Sequence, residues 1–229
     1  MEQKIEYARN KRYFEGSDTL YFVGFPIMVA GLVLAVGKLI GWRFFPYQMP
    51  IGTVLAAVGA CLAYLPSIRQ TNEKELDALT AHLSCQYREE METKLRLGKE
   101  LLRGMPPTVF AAYICDEEEV SIRRGRADRK CRTSLFSMAT VFCVSSGLVI
   151  PQRVVSLVDD KISETMHTIR FAEIDRVFLS DEEQIFSDGT RTKLYFLCAE
   201  KDGRIVLSLP TEYSVTLDRF CQSISSHIE

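Results

Sequence analysis

Charge is what the first third of this chain lacks. Between Thr19 and Ile68 only Lys38 and Arg43 are charged, whereas from Arg69 onward a charge falls at about every third position. The whole-chain figures are 229 residues, 47% hydrophobic, 25% charged, net charge −2 and a mean hydropathy of zero, and they average an apolar part with a soluble-type part. A charged fraction that high excludes a transporter made mostly of lipid-facing helices, and a hydrophobic fraction that high excludes a disordered chain. Histidine is scarce as well. His82, His167 and His227 are the only three, and none stands in an HExxH or HxH context. GxSxG, P-loop and GxGxxG patterns are absent too, which removes the motif-borne hydrolase, nucleotide-binding and metallopeptidase classes. None of the seven cysteines (Cys61, Cys85, Cys115, Cys131, Cys143, Cys198, Cys221) forms a CxxC pair, and several fall in apolar runs. They are expected as free thiols, packed as small hydrophobes. Cys131, between Lys130 and Arg132, is the one whose surroundings would favour the thiolate. His82 and Cys85 are three apart but have no further ligand nearby, so no metal and no cofactor is expected. The acidic groups Asp159-Asp160 and Asp181-Glu182-Glu183 read as solvated turns.

What is there begins with two apolar runs. Thr19–Ile40, about 22 residues at about 1.5 Å each, is long enough for a hydrocarbon core of roughly 30 Å, and Lys38 can snorkel to its edge. Phe44–Ile68 carries no charge, and its most apolar stretch, Met49–Leu65, is near the lower limit for a span. Pro26 is tolerated in such a helix. The competing readings are a signal peptide for the first run and a buried helix or re-entrant loop for the second. The link Gly41–Gln48, with Trp42, Phe44, Phe45 and Tyr47, is short and aromatic, which implies a hairpin. Lys4, Arg9, Lys11 and Arg12 precede it, Arg69, Lys74 and Arg88 follow it, and Arg43 alone lies in the link. The positive-inside rule then puts both termini in the cytoplasm. Small residues recur four apart at Gly37 and Gly41 and at Gly52, Ala56 and Ala60, a spacing that lets helices approach closely. Packing within the hairpin is the plainer use of these ladders and self-association the sharper one.

Residues 72–103 then carry a stripe of Leu76, Leu79, Leu83, Tyr87, Met91 and Leu95, which predicts one long amphipathic helix. Asn72 and Glu75 have capping-box spacing, and Gly104-Met105-Pro106-Pro107 ends the pattern. An unbroken helix would be roughly 45–50 Å long. It would lie against the following domain, project as a stalk or lie on the membrane.

From Thr108 the texture is β. Val109–Cys115, Ala139–Val144, Leu148–Leu157, Thr168–Leu179, Lys193–Glu200 and Arg204–Leu209 read as strands. Lys201-Asp202-Gly203 is the strongest hairpin turn, and Ser187-Asp188-Gly189 marks another. Tyr213, Leu217, Phe220, Ile224 and Ile228 then fall on one helical face, with Thr211 as its N-cap candidate. Phe171, Ile174, Leu197, Leu207 and Phe220 are predicted to share a core. The run from Thr140 to Glu229, with Ile169, Phe171, Ile174 and Val177 in an I-x-F-x-x-I-x-x-V pattern, resembles pleckstrin-homology-like (PH-like) and GRAM-like domains. The layout as a whole resembles bacterial membrane proteins that join transmembrane helices to such a domain. The resemblance implies a bent antiparallel sheet closed by a C-terminal helix.

The expected organisation is an α+β membrane protein. It has a cytoplasmic arm (1–18), a two-helix transmembrane hairpin (19–68), an amphipathic linker helix (69–104) and a PH-like antiparallel β domain (108–229). The densest charge feature follows the acids 116–119: Arg123, Arg124, Arg126, Arg129, Lys130 and Arg132. It reads either as a solvated loop or as an exposed basic surface facing an anionic leaflet, where each base contributes roughly 1 kcal/mol. With slight net negative charge and no interleaved aromatic residue, nucleic acid is not an expected partner. The expected function is a non-enzymatic binding or scaffold module of the bacterial cell membrane. It would be anchored in the lipid bilayer and engage anionic lipid headgroups or a membrane protein. The runner-up is a self-associating membrane protein, a homo-oligomeric subunit or a membrane-perturbing effector.

Overall fold

The charge-poor runs form two long helices. The structure, a computed structural model, describes residues 5–16, 19–42, 47–69, 71–97, 100–115, 120–125, 128–186 and 191–228. Arg43, Phe44, Phe45, Gln70, Gly98, residues 116–119, Arg126 and the Ser187-Asp188-Gly189 turn therefore lie outside the described residues, as does the side chain of Lys38. The chain is α+β with antiparallel sheets, and it divides into two compact units, Ala8–Leu76 and Met1–Tyr7 with Asp77–Glu229.

In the first unit, α1 (Tyr7–Glu15) forms in what the sequence suggested was a plain arm, and it buries Tyr13 and Phe14. Its Asn10 side chain accepts a hydrogen bond from the Thr71 hydroxyl (2.7 Å), and Arg9 pairs with Glu75 (3.0 Å). Helices α2 (Thr19–Leu39) and α3 (Gln48–Arg69) pack antiparallel, with Pro26 inside α2. Their contact is made by glycine. A Cβ on Gly24 would meet the Ala63 backbone nitrogen at 2.6 Å, and one on Gly52 would meet the Ala35 nitrogen at 2.5 Å. Added to Gly31 or Gly59, it would run into the backbones of Ala56 and Met28. Seven-residue spacing (24/31 and 52/59) keeps these glycines on one stripe of each helix, so the backbones close on one another. The expected ladder is corrected accordingly. Gly52 and Ala56 lie in the contact, but a Cβ on Gly37 would meet Trp42 and Gln48 rather than α3 backbone. Gly41 lies past α2 with φ +93°, and a Cβ there would meet no described residue within 4 Å. Ala60 is half-buried one position beyond the buried Gly59. Among the described residues one helix, α2, is long and apolar enough to cross a membrane, over Leu20–Gly37, and only 17% of that stretch is buried. The apolar part of α3, Gln48–Tyr64, is shorter.

The predicted capping box starts α4 (Glu73–Leu95): the Glu75 N–H donates to Asn72 Oδ1 (2.8 Å) and the Asn72 N–H to Glu75 Oε2 (3.2 Å). The helix is shorter than its apolar stripe suggested, about 35 Å at 1.5 Å per residue. It ends where Arg96 turns to φ +50°. Beyond it, Leu101 and Leu102 run beside strand residues Val144 and Cys143, with the Leu102 N–H donating to the Cys143 carbonyl (2.9 Å). Leu102 and Met105 pack on the core, and burying them outweighs another two helical turns. From Asp77 onward α4 is not a free stalk. Tyr87 is buried under the Arg153 guanidinium, 4.5 Å from its ring centre, and Arg153 pairs with Glu90 (2.9 Å).

The β domain starts with β1 (Thr108–Tyr113). A short ribbon, β2 (Ile122–Arg124) with β3 (Cys131–Thr133), follows. Then come β4 (Leu135–Val144), β5 (Gly147–Ser156), β6 (Ile162–Arg170), β7 (Arg176–Ile185), β8 (Arg191–Lys201), β9 (Arg204–Thr211) and α5 (Val215–Ile228). One antiparallel sheet has the order β1-β4-β5-β6 and another β7-β8-β9. They adjoin at β1 and β9, where the Glu212 N–H donates to the Ala111 carbonyl (3.1 Å). The stretch expected as one strand, Thr168–Leu179, is instead the corner between the sheets, turned by a 3-10 turn at Phe171–Glu173. The Asp202-Gly203 turn is as predicted, both residues having positive φ. Ile174, Leu197, Leu207 and Phe220 share the core, with Phe171 packed on its edge. Ser214 rather than Thr211 caps α5, its hydroxyl accepting from the Leu217 N–H (3.2 Å), and Thr211 ends β9.

Candidate functional site

The inner faces of the two sheets lead from an apolar core to a pocket. Residues two apart on a strand share a face. On β5 the core residues Leu148 and Ile150 are followed on that face by Gln152 and Val154. On β8 Leu197 is preceded by Tyr195, and on β9 Leu209 is followed by Thr211. The α5 end is filled by Phe220, Cys221 and Ile224, with Phe220 and Phe110 rings 5.8 Å apart. The opposite end holds a pocket of about 650 Å³, lined by Gln152, Val154, Tyr195 and Thr211, by Ala112 and Ile114 from the end of β1, and by the turn of the ribbon. Gln152 Nε2 donates to the Ser137 hydroxyl (3.0 Å), and its Oε1 faces His167 Nε2 (3.2 Å). The Tyr195 and Tyr213 rings lie 5.3 Å apart at the rim, so Tyr213 belongs to the pocket and not to α5.

The described part of the basic run lies on the ribbon β2–β3 and at Arg129 and Lys130 before β3, and the expectation that it is an exposed surface is corrected at Arg132. Arg132 has no exposed side-chain surface. Its Nε donates to Asp77 Oδ1 (2.9 Å), and Nη2 donates to Asp77 Oδ2 (2.6 Å) and to Asp128 Oδ2 (2.5 Å). A buried guanidinium must have its protons satisfied, and its planar fork fits two carboxylates. The Arg132 hydrogen bond holds the Asp128 carboxyl down at about 2. Gly125 leaves room for this pair, because a Cβ there would run into the Asp128 carboxylate and come within 2.6 Å of Arg132 Nη1. Arg124 is half-buried, donates to the Thr192 hydroxyl (2.8 Å) and lies over the Phe186 ring. Lys130 pairs with Glu212 (2.7 Å) and lies over Tyr113. Arg123 is half-buried opposite Arg132, and Arg126 is outside the described residues. Arg129 differs: it is exposed, has φ +59°, lines the pocket, and has no hydrogen bond or ion pair among the described residues.

The cysteines are free, and Cys131 is buried in the pocket wall with Cys115. Burial pushes the Cys143 and Cys221 thiols up to about 12, so they are inert core residues. The three histidines stay on separate elements: His82 on α4, His167 beside Gln152, and His227 on α5 with its ring 5.5 Å from that of Phe171.

Sequence reasoning missed Asp77 as a partner of Arg132, since no local spacing announces a contact across 55 residues, and missed Asp128, although it stands only four residues before Arg132. It also missed the pocket, although a signal existed. Gln152 is a polar residue on the same alternating face as Leu148 and Ile150, where the pattern calls for an apolar one. Comparison with protein-family models, with curated proteins and with solved structures finds no match.

Proposed function

We propose that this chain is a membrane-anchored, non-enzymatic binding module. In this reading α2 and α3 cross a bacterial cell membrane as a hairpin, both termini are cytoplasmic, and a PH-like β domain presents its pocket on the cytoplasmic side. The observation that carries it is the inside-out character of the hairpin. Its interior is glycine against backbone, while Phe22, Val29, Leu32, Val33, Val54 and Val58 are exposed. In water so much exposed apolar surface is a liability, whereas in lipid it is the ordinary arrangement. Support for the PH-like assignment is the chain order: four antiparallel strands in one sheet, three in the next, then a helix whose Phe220 and Ile224 enter the core. The ribbon β2–β3 is an insertion between the first two strands of that order. The self-association alternative has less behind it, because Gly52 and Ala56 are already covered by α2. The basic run also offers less to a lipid surface than its count suggests, since Arg124, Lys130 and Arg132 have partners within the domain.

The test is side-specific labelling in intact cells, after the exposed native thiols Cys61 and Cys85 are replaced by alanine. Tyr47, exposed in the α2–α3 link, is the probe position. Tyr47→Cys should react with an impermeant thiol reagent from outside, and Asp202→Cys only after lysis. The reverse pattern, or labelling of both, would remove the hairpin topology.

A further inference from the structure

We propose that the pocket at the open end of the β domain binds a single-chain amphiphilic carboxylate of the fatty-acid type, with Arg129 holding the carboxylate and the chain lying against Val154 and Ile114. The inference rests on the membrane reading only for the source of the ligand, the surrounding bilayer.

Three observations lead to this chemistry. The pocket is of ordinary ligand size, about 650 Å³, and prolongs the apolar core, so its floor offers an acyl body Ala112, Ile114 and Val154. The charges at its mouth are unequal in availability. Lys130 is committed to Glu212 (2.7 Å) and Lys193 to Asp181 (3.1 Å), so among the described lining residues Arg129 is the cation without an ion pair. One free cation among the described residues suits a singly charged head. A polyphosphate or inositol phosphate would need several, and a cationic or neutral head would leave Arg129 unanswered. Finally, Arg129 is held at φ +59°, a conformation disfavoured for a residue with a Cβ. Its two chain neighbours are both tied down, Lys130 by its carbonyl accepting from the Gly125 N–H (2.9 Å) and Asp128 by its bond to the buried Arg132. The Arg129 cation is thus presented at the mouth between two anchored neighbours.

The experiment is photolabelling of the full chain in nanodiscs of neutral phospholipid, with a diazirine-bearing dodecanoate and, in parallel, the matching diazirine dodecanol. Adducts are mapped by mass spectrometry. The carboxylate should label the pocket segments Thr192–Phe196 and Ser208–Tyr213, excess dodecanoate should compete it away, and the alcohol should label them weakly. Arg129→Gln should lower the pocket adducts about tenfold or more while leaving adducts on α2 and α3 unchanged. Val154→Trp, which fills the floor, should abolish them. Equal pocket labelling by acid and alcohol, pocket labelling untouched by Arg129→Gln, or adducts on α2 and α3 alone would each overturn the proposal. Competed pocket labelling with none on α2 and α3 would support it and would overturn the membrane reading instead.

Discussion

The guanidinium of Arg132 and the carboxylate of Asp77, 55 residues apart, meet in a two-pronged ion pair, Nε to Oδ1 at 2.9 Å and Nη2 to Oδ2 at 2.6 Å. This contact ties the ribbon to α4. The two sides are unequally exposed: Arg132 is fully enclosed, while Asp77 and Asp128 retain 38% and 44% of their side-chain surface. Removing the carboxylates strands a buried charge, whereas removing the arginine frees two carboxylates that water can reach. Asp77→Ala with Asp128→Ala should therefore destabilise the chain by about 3–5 kcal/mol, and Arg132→Met by less, under about 2 kcal/mol. Denaturant unfolding of the full chain measures both. The opposite ranking would mean the guanidinium is hydrated.

Acid should loosen the same contact. Asp128 is held at about 2, below the usual carboxylate value of 3.8, chiefly by its hydrogen bond from Arg132. A depressed folded-state value gives stability that is complete above the usual value and is lost as pH falls toward the lowered one. Ribbon attachment should thus be insensitive to pH above about 4 and weaken between about 4 and 2. Hydrogen exchange at the Gly125 and Lys130 amides, corrected for intrinsic rate, should rise in that window. Asp128→Asn should remove the pH dependence.

The hairpin glycines should divide by position. Gly59→Val places side-chain atoms in the Met28 backbone and should cost about 1–3 kcal/mol or more, read as lost thermal stability in detergent. Gly37→Ala meets only side-chain atoms, the nearest at 3.4 Å, and should be tolerated. Equal tolerance of both would mean that α2 and α3 do not touch.

Phe220 anchors α5 between the sheets, beside Phe110. Phe220→Ala should cost about 3–5 kcal/mol in unfolding of the full chain. A change under about 1 kcal/mol would mean that α5 is not part of the core.

Much of the architecture was legible in the residues because it follows from local rules. The missing charge between Thr19 and Ile68 marked α2 and α3. Asn72 and Glu75 marked the start of α4, and the turn at Asp202-Gly203 marked the β8–β9 hairpin. Alternation put Ile174, Leu197 and Leu207 inside. Each of these signals lies within a few residues of the feature it specifies, so the backbone period or a single hydrogen bond carries it.

What the sequence left open was decided by contacts between distant segments. Four-residue spacing suggested Gly37 and Gly41 as packing positions, but which glycines face the partner depends on the register of two helices, and that selected Gly24, Gly31, Gly52 and Gly59. The stripe on α4 suggested a longer helix, but core space for Leu102 and Met105 ended it at Leu95. Six basic residues within ten positions looked alike as a charge run. The fold buried Arg132 against Asp77, partnered Lys130 with Glu212 and left Arg129 at the mouth of a pocket with no ion pair among the described residues. A formal charge is a property of the residue. Whether that charge is available to a ligand depends on desolvation and on the nearest opposite charge, and both exist only once the chain is folded.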